Sequence, residues 1–349
     1  MKRFILFALL IGSVLSVSAQ DARFSQTYAS PLNLNPAMTG VFEGEFRVVA
    51  NYRDQWSSIS PTAPFRTIGA SFDYRCNVAN KDFLSFGVNL MRDDAGASRF
   101  TQNKGALSVS FMKMLSEGYG WRAMDQYLVV GAQLGAGQNG IYYNDLLFST
   151  QFDNGTQTVN PLLNSQESLD ETSRTYLDFN AGLMWYGVWD DRISIYAGGA
   201  IAHLNQPNIS FFTETENDRL YRRYTGHLGG EIPIGKKLSW MPGLVFNKQG
   251  PSTQTDFGTQ FRYSNNDYQE IALRLGVWGR VVNQLEDNLS AESIVVTTMF
   301  ELDRWMIGLS YDINTSTLSR ATNSRGAFEV AIIYIHPSSL RRNVECPTF

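Results

Sequence analysis

Cysteine and histidine are scarce: 349 residues contain two cysteines and three histidines. Cys76 and Cys346 are too few for a disulfide scaffold. His203, His227 and His336 are too widely spaced for a metal-ligand cluster, so no metal or cofactor is expected. The sequence has no G-x-S-x-G, no H-E-x-x-H and no glycine-rich phosphate loop, so it indicates no enzyme. A rim hydrolase would have to draw on Asp145, Asp153, Asp170 and His203, and nothing in the sequence brings these together. An excess of one charge is missing too. Twenty-nine Lys and Arg against 33 Asp and Glu give a net charge of -4, which offers no reason to expect a nucleic-acid partner. Beyond the N-terminus no run approaches the roughly 18 apolar residues of a spanning helix.

What the chain does contain is alternation. In Trp305–Asn314, Trp305, Ile307, Leu309, Tyr311 and Ile313 share one face, and Met306, Gly308, Ser310, Asp312 and Asn314 share the other. Side chains of a strand alternate between faces, so one face is apolar and the other small or polar. The pattern recurs about fourteen times behind an apparent export signal. Lys2 and Arg3 form that signal's basic region, Phe4–Leu15 its apolar core, and Val17-Ser18-Ala19 its small-residue cleavage site. The expected fold is all-β: a transmembrane antiparallel β-barrel of about 14 strands, apolar toward lipid and polar toward the lumen. Sixteen Tyr, 22 Phe, 7 Trp and 29 Gly suit such a barrel.

The alternation predicts strands near 45–56, 65–75, 83–93, 104–115, 127–138, 175–187, 192–204, 222–233, 237–248, 252–262, 270–281, 292–302, 304–316 and 325–336. Tight turns at Asp190-Asp191, Ile234-Gly235-Lys236 and Asp303 fall on one end. The long connectors 139–174 and 205–221 fall on the other. Outer-membrane barrels carry short periplasmic turns and long external loops, and both termini then lie on the periplasmic side. The expected organisation is a signal peptide (1–19), a non-strand lead-in (20–44) that folds into the lumen or caps the periplasmic mouth, the barrel (45–336) and a periplasmic tail (337–349). Arg47, Arg53, Arg274 and Arg280 should point into the lumen, with Asp178, Glu301, Asp312 and Glu329 as candidate counter-charges. Mutual pairing of these groups is favoured over a ligand path, because buried charges need partners.

The lead-in reads Phe24-Ser25-Gln26-Thr27-Tyr28, then Asn35-Pro36-Ala37-Met38-Thr39-Gly40, and runs into Arg53-Asp54-Gln55-Trp56. This resembles the N-terminal signature of the PorP/SprF family of type IX secretion membrane proteins, with Thr27 and Met38 at positions where the family commonly has aromatics. Ala202-His203-Leu204-Asn205-Gln206-Pro207 resembles its H-L-x-x-P element, Gly308–Asp312 with Gly326–Glu329 its S-Y-D and G-x-F-E pair, and Cys346-Pro347-Thr348-Phe349 its C-P-x-F ending. The resemblance covers essentially the whole mature chain.

The resemblance implies a non-catalytic outer-membrane component of type IX secretion or gliding. It would support secretion, or surface anchoring of cargo and adhesins that carry a C-terminal sorting domain, and would meet other secretion or gliding components at the periplasmic face. Phe24, Ser25, Gln26, Asn35, Pro36, Gly40, Arg53, Gln55 and Trp56 are then candidate machinery contacts, and His203, Asn205 and Pro207 a candidate partner rim. For His203 and Pro207 a plain strand end followed by a turn is an equal alternative. Cys76 and Cys346 both fall at the periplasmic end, where either a disulfide or two free thiols is open. The rival reading is a diffusion channel or hydrophobic-solute transporter, which needs an open lumen.

Overall fold

A computed structural model describes residues 21–337, 346 and 347, apart from 58–64, 80, 97–98, 119–123, 143–145, 147, 154, 161, 164–171, 190–192, 213–217, 266–270 and 284–288. The expected export signal lies outside the described residues.

The alternating segments pair into one closed antiparallel barrel of fourteen strands. The strands are β1 (Phe46–Gln55), β2 (Phe65–Ala79), β3 (Asp82–Ala95), β4 (Phe100–Ser116), β5 (Met124–Gly140), β8 (Ser173–Trp189), β9 (Ile193–Ala202), β10 (Arg223–Pro233), β11 (Leu238–Gln249), β12 (Ser252–Asn265), β13 (Ile271–Asn283), β14 (Leu289–Leu302), β15 (Trp305–Asn314) and β16 (Arg325–His336). Two further short strands, β6 (Phe152–Asp153) and β7 (Thr158–Val159), form a hairpin in the longest connector. Neighbours in the barrel are neighbours in sequence, and β16 closes on β1 with Phe46 opposite His336 and Gln55 opposite Ala327. Closure leaves no sheet edge and pairs backbone groups that the bilayer cannot hydrate.

β15 alternates as its sequence requires. Trp305, Ile307, Leu309, Tyr311 and Ile313 are exposed, while Gly308, Ser310, Asp312 and Asn314 are buried. Leu107, Val130, Leu134, Leu183, Leu275 and Val277 extend the apolar exterior. No helix among the described residues is long and apolar enough to cross a membrane. Near the barrel's closing seam, Phe46, Phe72, Tyr334 and Trp305 form a chain of ring contacts 4.7–6.0 Å apart. Aromatic rings of this kind sit at membrane–water boundaries.

Several strands outrun the alternation that revealed them: β2 continues to Ala79 and β8 spans Ser173–Trp189. Asp303, with φ +53°, makes the tight turn between β14 and β15. The β9–β10 and β5–β8 connectors lie at the opposite end, so the expected parity holds. Trp278 points inward and stacks on Tyr28, with ring centroids 6.3 Å apart.

Candidate functional site

The lead-in fills the lumen. It starts at Asp21 beside the long-loop end, passes through three helical turns (Thr27–Ala29, Pro31–Leu34 and Pro36–Met38) and joins β1 at the short-turn end. Its sequence is rich in turn formers and lacks alternation, so it has no ladder to join. Its backbone groups are instead taken partly by its own helical turns and partly by wall side chains.

At the long-loop end Asp21 is nearly enclosed, its side chain 2 % exposed. Its backbone N–H donates to Gln249 Oε1 at 3.1 Å. Its carboxylate accepts from Lys104 of β4 and, at 2.8 Å, from Arg223 Nη1 of β10. His203 Nε2 lies 2.7 Å away, and His203 Nδ1 lies 2.8 Å from Asp178 of β8. Burial drives the His203 pKa down, but the Asp21 and Asp178 carboxylates outweigh it and hold the imidazole above its ordinary range. His203 also carries the left-handed backbone angle φ +58°, which persists in a non-glycine residue only where its surroundings dictate it.

One turn deeper, the Ser25 and Gln26 N–H groups donate to the two oxygens of Glu329 at 2.7 and 3.0 Å. Arg53 of β1 binds Glu329 at 3.3 Å and Asp312 at 2.9 Å. Arg280 joins Asp256 at 2.7 Å, Asp312 at 3.1 Å and Ser25 Oγ at 2.9 Å. Asn51 donates to the Ala29 carbonyl at 3.0 Å.

At mid-depth Asn35 Nδ2 donates to the Leu183 and Gly199 carbonyls at 3.1 and 3.3 Å and lies 3.0 Å from His227 Nε2. Its Oδ1 accepts from the Ala37 N–H at 2.9 Å. The wall must come close here. A β-carbon at Gly131 or Gly182 would collide with the Pro36 backbone or the Asn35 amide, which explains glycines inside strands that they otherwise weaken.

Near the short-turn end Gly40, at φ +75°, donates its N–H to Asp73 at 2.8 Å. Asp73 also receives the Nε and Nη2 edge of Arg47 at 3.0 and 2.8 Å. Arg262 presents the same edge to Glu301, which Arg274 also binds. Cys346 and Pro347 fold back under the segment, with Cys346 Sγ 3.2 Å from Arg75 Nη1. A cavity of about 420 Å³ opens here, lined by Phe42, Glu43, Arg304, Met306 and Cys346 among others.

The geometry revises several expectations. All eight expected lumenal charges do face inward. The signature residues, however, are not laid out on the short-turn face. Phe24, Gln26, Asn35, Pro36, Gly40 and Arg53 are buried, and Ser25, Gln55 and Trp56 half-buried. Phe24 to Gln26 and Arg53 to Trp56 lie in the long-loop half of the lumen, because the segment runs back through the barrel before β1 begins. The contacts these positions make are internal ones between segment and wall. His203 (2 % exposed) and Pro207 are likewise buried, and Asn205 between them is exposed. Asn205 accepts from the Phe179 N–H and donates to the Leu177 carbonyl, tying the turn to β8. Cys76 and Cys346 are free thiols. Arg75 points inward to Cys346, so its strand neighbour Cys76 points outward, and the two sulfurs lie on opposite sides of the wall.

Sequence reading missed Asp21, Lys104, Arg223 and Asp73. A lone charge at an inward position of a strand was the available signal, but its partner in a segment without periodicity leaves none.

Among the described residues the long-loop face is only partly covered. Ile209 and Leu220 pack on Tyr176 over the mouth. In the β5–β8 connector Leu162 is 92 % exposed, with Phe152, Val159 and Leu163 also open to solvent. Among the described residues no group of three or more His, Cys, Asp or Glu could hold a metal ion.

Residues 16–334 match the family model described as "Type IX secretion system membrane protein PorP/SprF". The chain belongs to this family. In this PorP/SprF protein the residues that resemble the family signature, Phe24–Gln26 and Asn35–Gly40, are among those that pack against the wall. No curated protein matches the chain. Solved barrels resemble it in shape. CdiB from Escherichia coli is 9 % identical with a TM-score of 0.46, over 84 % of this chain and 63 % of that one. The toluene transporter TbuX of Ralstonia pickettii is 12 % identical with a TM-score of 0.48, over 88 % and 92 %. The CymD monoaromatic hydrocarbon channel is 13 % identical with a TM-score of 0.49, over 91 % and 95 %. Similarity of this order transfers no function.

Proposed function

We propose that this protein is a non-catalytic outer-membrane component of the type IX secretion and gliding apparatus. It supports secretion or surface anchoring of cargo or adhesin proteins that carry a C-terminal sorting domain. The observation that carries this reading is the filled lumen. A barrel whose interior is occupied by its own segment, pinned at four depths, acts through its faces. The long-loop face turns outward in the ordinary outer-membrane arrangement. There the β5–β8 connector offers Phe152, Val159, Leu162 and Leu163 to a secreted partner. The short-turn face, with the Cys346-Pro347 tail, meets periplasmic components. Exposed loops on a rigid scaffold are the usual carriers of such contacts.

Deletion of residues 150–170 tests this. The expected result is a barrel that still inserts and still shifts on a gel when heated, with its surface partner released into the medium. Normal partner display in that strain sinks the reading. The rival, a diffusion channel or hydrophobic-solute transporter, needs a continuous path past the packed segment, and steady ion conductance by the purified protein would favour it.

A further inference from the structure

Two arginines of the lumen offer one edge to a carboxylate, and Arg23 at the long-loop end does not. Arg47 offers its Nε and Nη2 edge to Asp73, and Arg262 offers the same edge to Glu301. This edge is the planar fork that takes a carboxylate through two parallel bonds. Arg23 in the lead-in has the same edge withdrawn from solvent, and among the described residues neither Nε nor Nη2 meets a hydrogen-bond partner. Only its Nη1 is engaged, donating to the neutral Gln254 Oε1 at 2.9 Å. A charged fork out of water without an acceptor is a costly arrangement, and such an atom calls for an explanation.

Four acids of the lumen hold other groups, although one oxygen of Asp312 has no partner. Asp21, two residues away, is shared by Lys104, His203 and Arg223. Asp256 and Asp312 serve Arg280, and Glu329 serves Arg53 and the Ser25 and Gln26 amides. Beside Arg23 lies a polar cavity of about 190 Å³ lined by Arg23, Arg53, Gln55, Asp93, Arg280 and Glu292. It sits at the long-loop end, where β1, β3, β13 and β14 finish or start.

We infer that Arg23 is a binding site for a carboxylate that enters this cavity from the long-loop mouth. The guanidinium swings about its single bond to Gln254 and presents its free edge to the incoming group. Asp93 and Glu292 on the cavity wall set the charge limit: they admit a monoanion and disfavour a dianion such as phosphate. The site takes either a free small acid or the carboxylate of a bound chain. That the mouth opens to the outside rests on the function proposed above; the carboxylate site itself does not.

The test uses the full-length protein in detergent, titrated with acetate, with N-acetylglycine and with phosphate, chloride holding the ionic strength constant. The readout is the temperature of heat-induced band shift, with line broadening of ¹³C-labelled acetate as a second measure. A saturable rise with acetate or N-acetylglycine is expected, acetate alone marking a free-acid site and N-acetylglycine a site for peptide carboxylates. Arg23→Gln should abolish it. Arg23→Lys, which keeps the charge but loses the fork, should raise the half-saturating concentration roughly tenfold, and carries the test if Arg23→Gln does not fold. No saturable response in the wild type, an equal response in Arg23→Lys, or a response to phosphate at least as strong as to acetate overturns the inference. Loss of carboxylate binding with normal partner display would sever the site from the proposed function without touching the latter.

Discussion

Arg53 on the first barrel strand faces Glu329 on the last, directly opposite in register across the seam where the barrel closes, 3.3 Å apart at the guanidinium. Glu329 also holds the Ser25 and Gln26 amides. One buried carboxylate thus joins both edges of the seam to the internal segment. Removing one partner of such a pair leaves an uncompensated buried charge, at a cost of about 3–5 kcal/mol. Arg53→Met is expected to lower the band-shift temperature clearly. Arg53→Met with Glu329→Leu should recover part of that loss, because neither charge is then left alone. A double variant as unstable as the sum of the singles would remove the pairing argument.

Removal of residues 21–40 should turn a closed barrel into a conducting one. The wild type in a planar bilayer is expected to show no steady open level, the deletion variant large steps. Equal conductance from both would show that the segment does not seal the lumen.

The Asp21–His203–Asp178 contact should be sensitive to alkali. The imidazole is held above its ordinary 6.5 in the folded state. Its stabilising effect is therefore complete below 6.5 and is lost as pH rises through the elevated value. The band-shift temperature of the wild type should fall over that range by more than that of His203→Gln. Lys104 and Arg223 continue to hold Asp21, so the barrel itself should survive. Parallel curves for the two proteins would refute the assignment.

The two thiols should differ in reactivity. Burial pushes the Cys346 thiol up, and a protonated, enclosed thiol alkylates slowly. Cys76 is partly exposed. A small maleimide should label Cys76 first and reach Cys346 only on unfolding. Labelling of Cys346 at the same rate as Cys76 would place the tail outside the mouth.

The wall of this protein was legible because strand alternation is a local signal. Trp305 to Asn314 declares its two faces within ten residues, and the expected inward placement of Arg47, Arg53, Asp312 and Glu329 followed from counting by two. The contents of the lumen were not legible in the same way. Asn35-Pro36 and Gly40 announce turns but not where the turns are housed. His203 could be read equally as a rim residue or as a plain strand end, and its partner Asp21 lies 182 residues earlier. Cys76 and Cys346 could be placed at the same end of the barrel, but their opposite sides of the wall depend on where the tail folds back.

The course of the segment from Asp21 to β1 also bears on the order of construction. Passing it through a finished ring would drag Asp21 and Arg23 along a packed bore, and the close approach at Gly131 and Gly182 leaves no slack for that. A sheet curled around a segment already in place meets no such obstacle. The segment from Asp21 thus takes the place of a mandrel within the sheet, and the seam between β1 and β16 completes the ring around it.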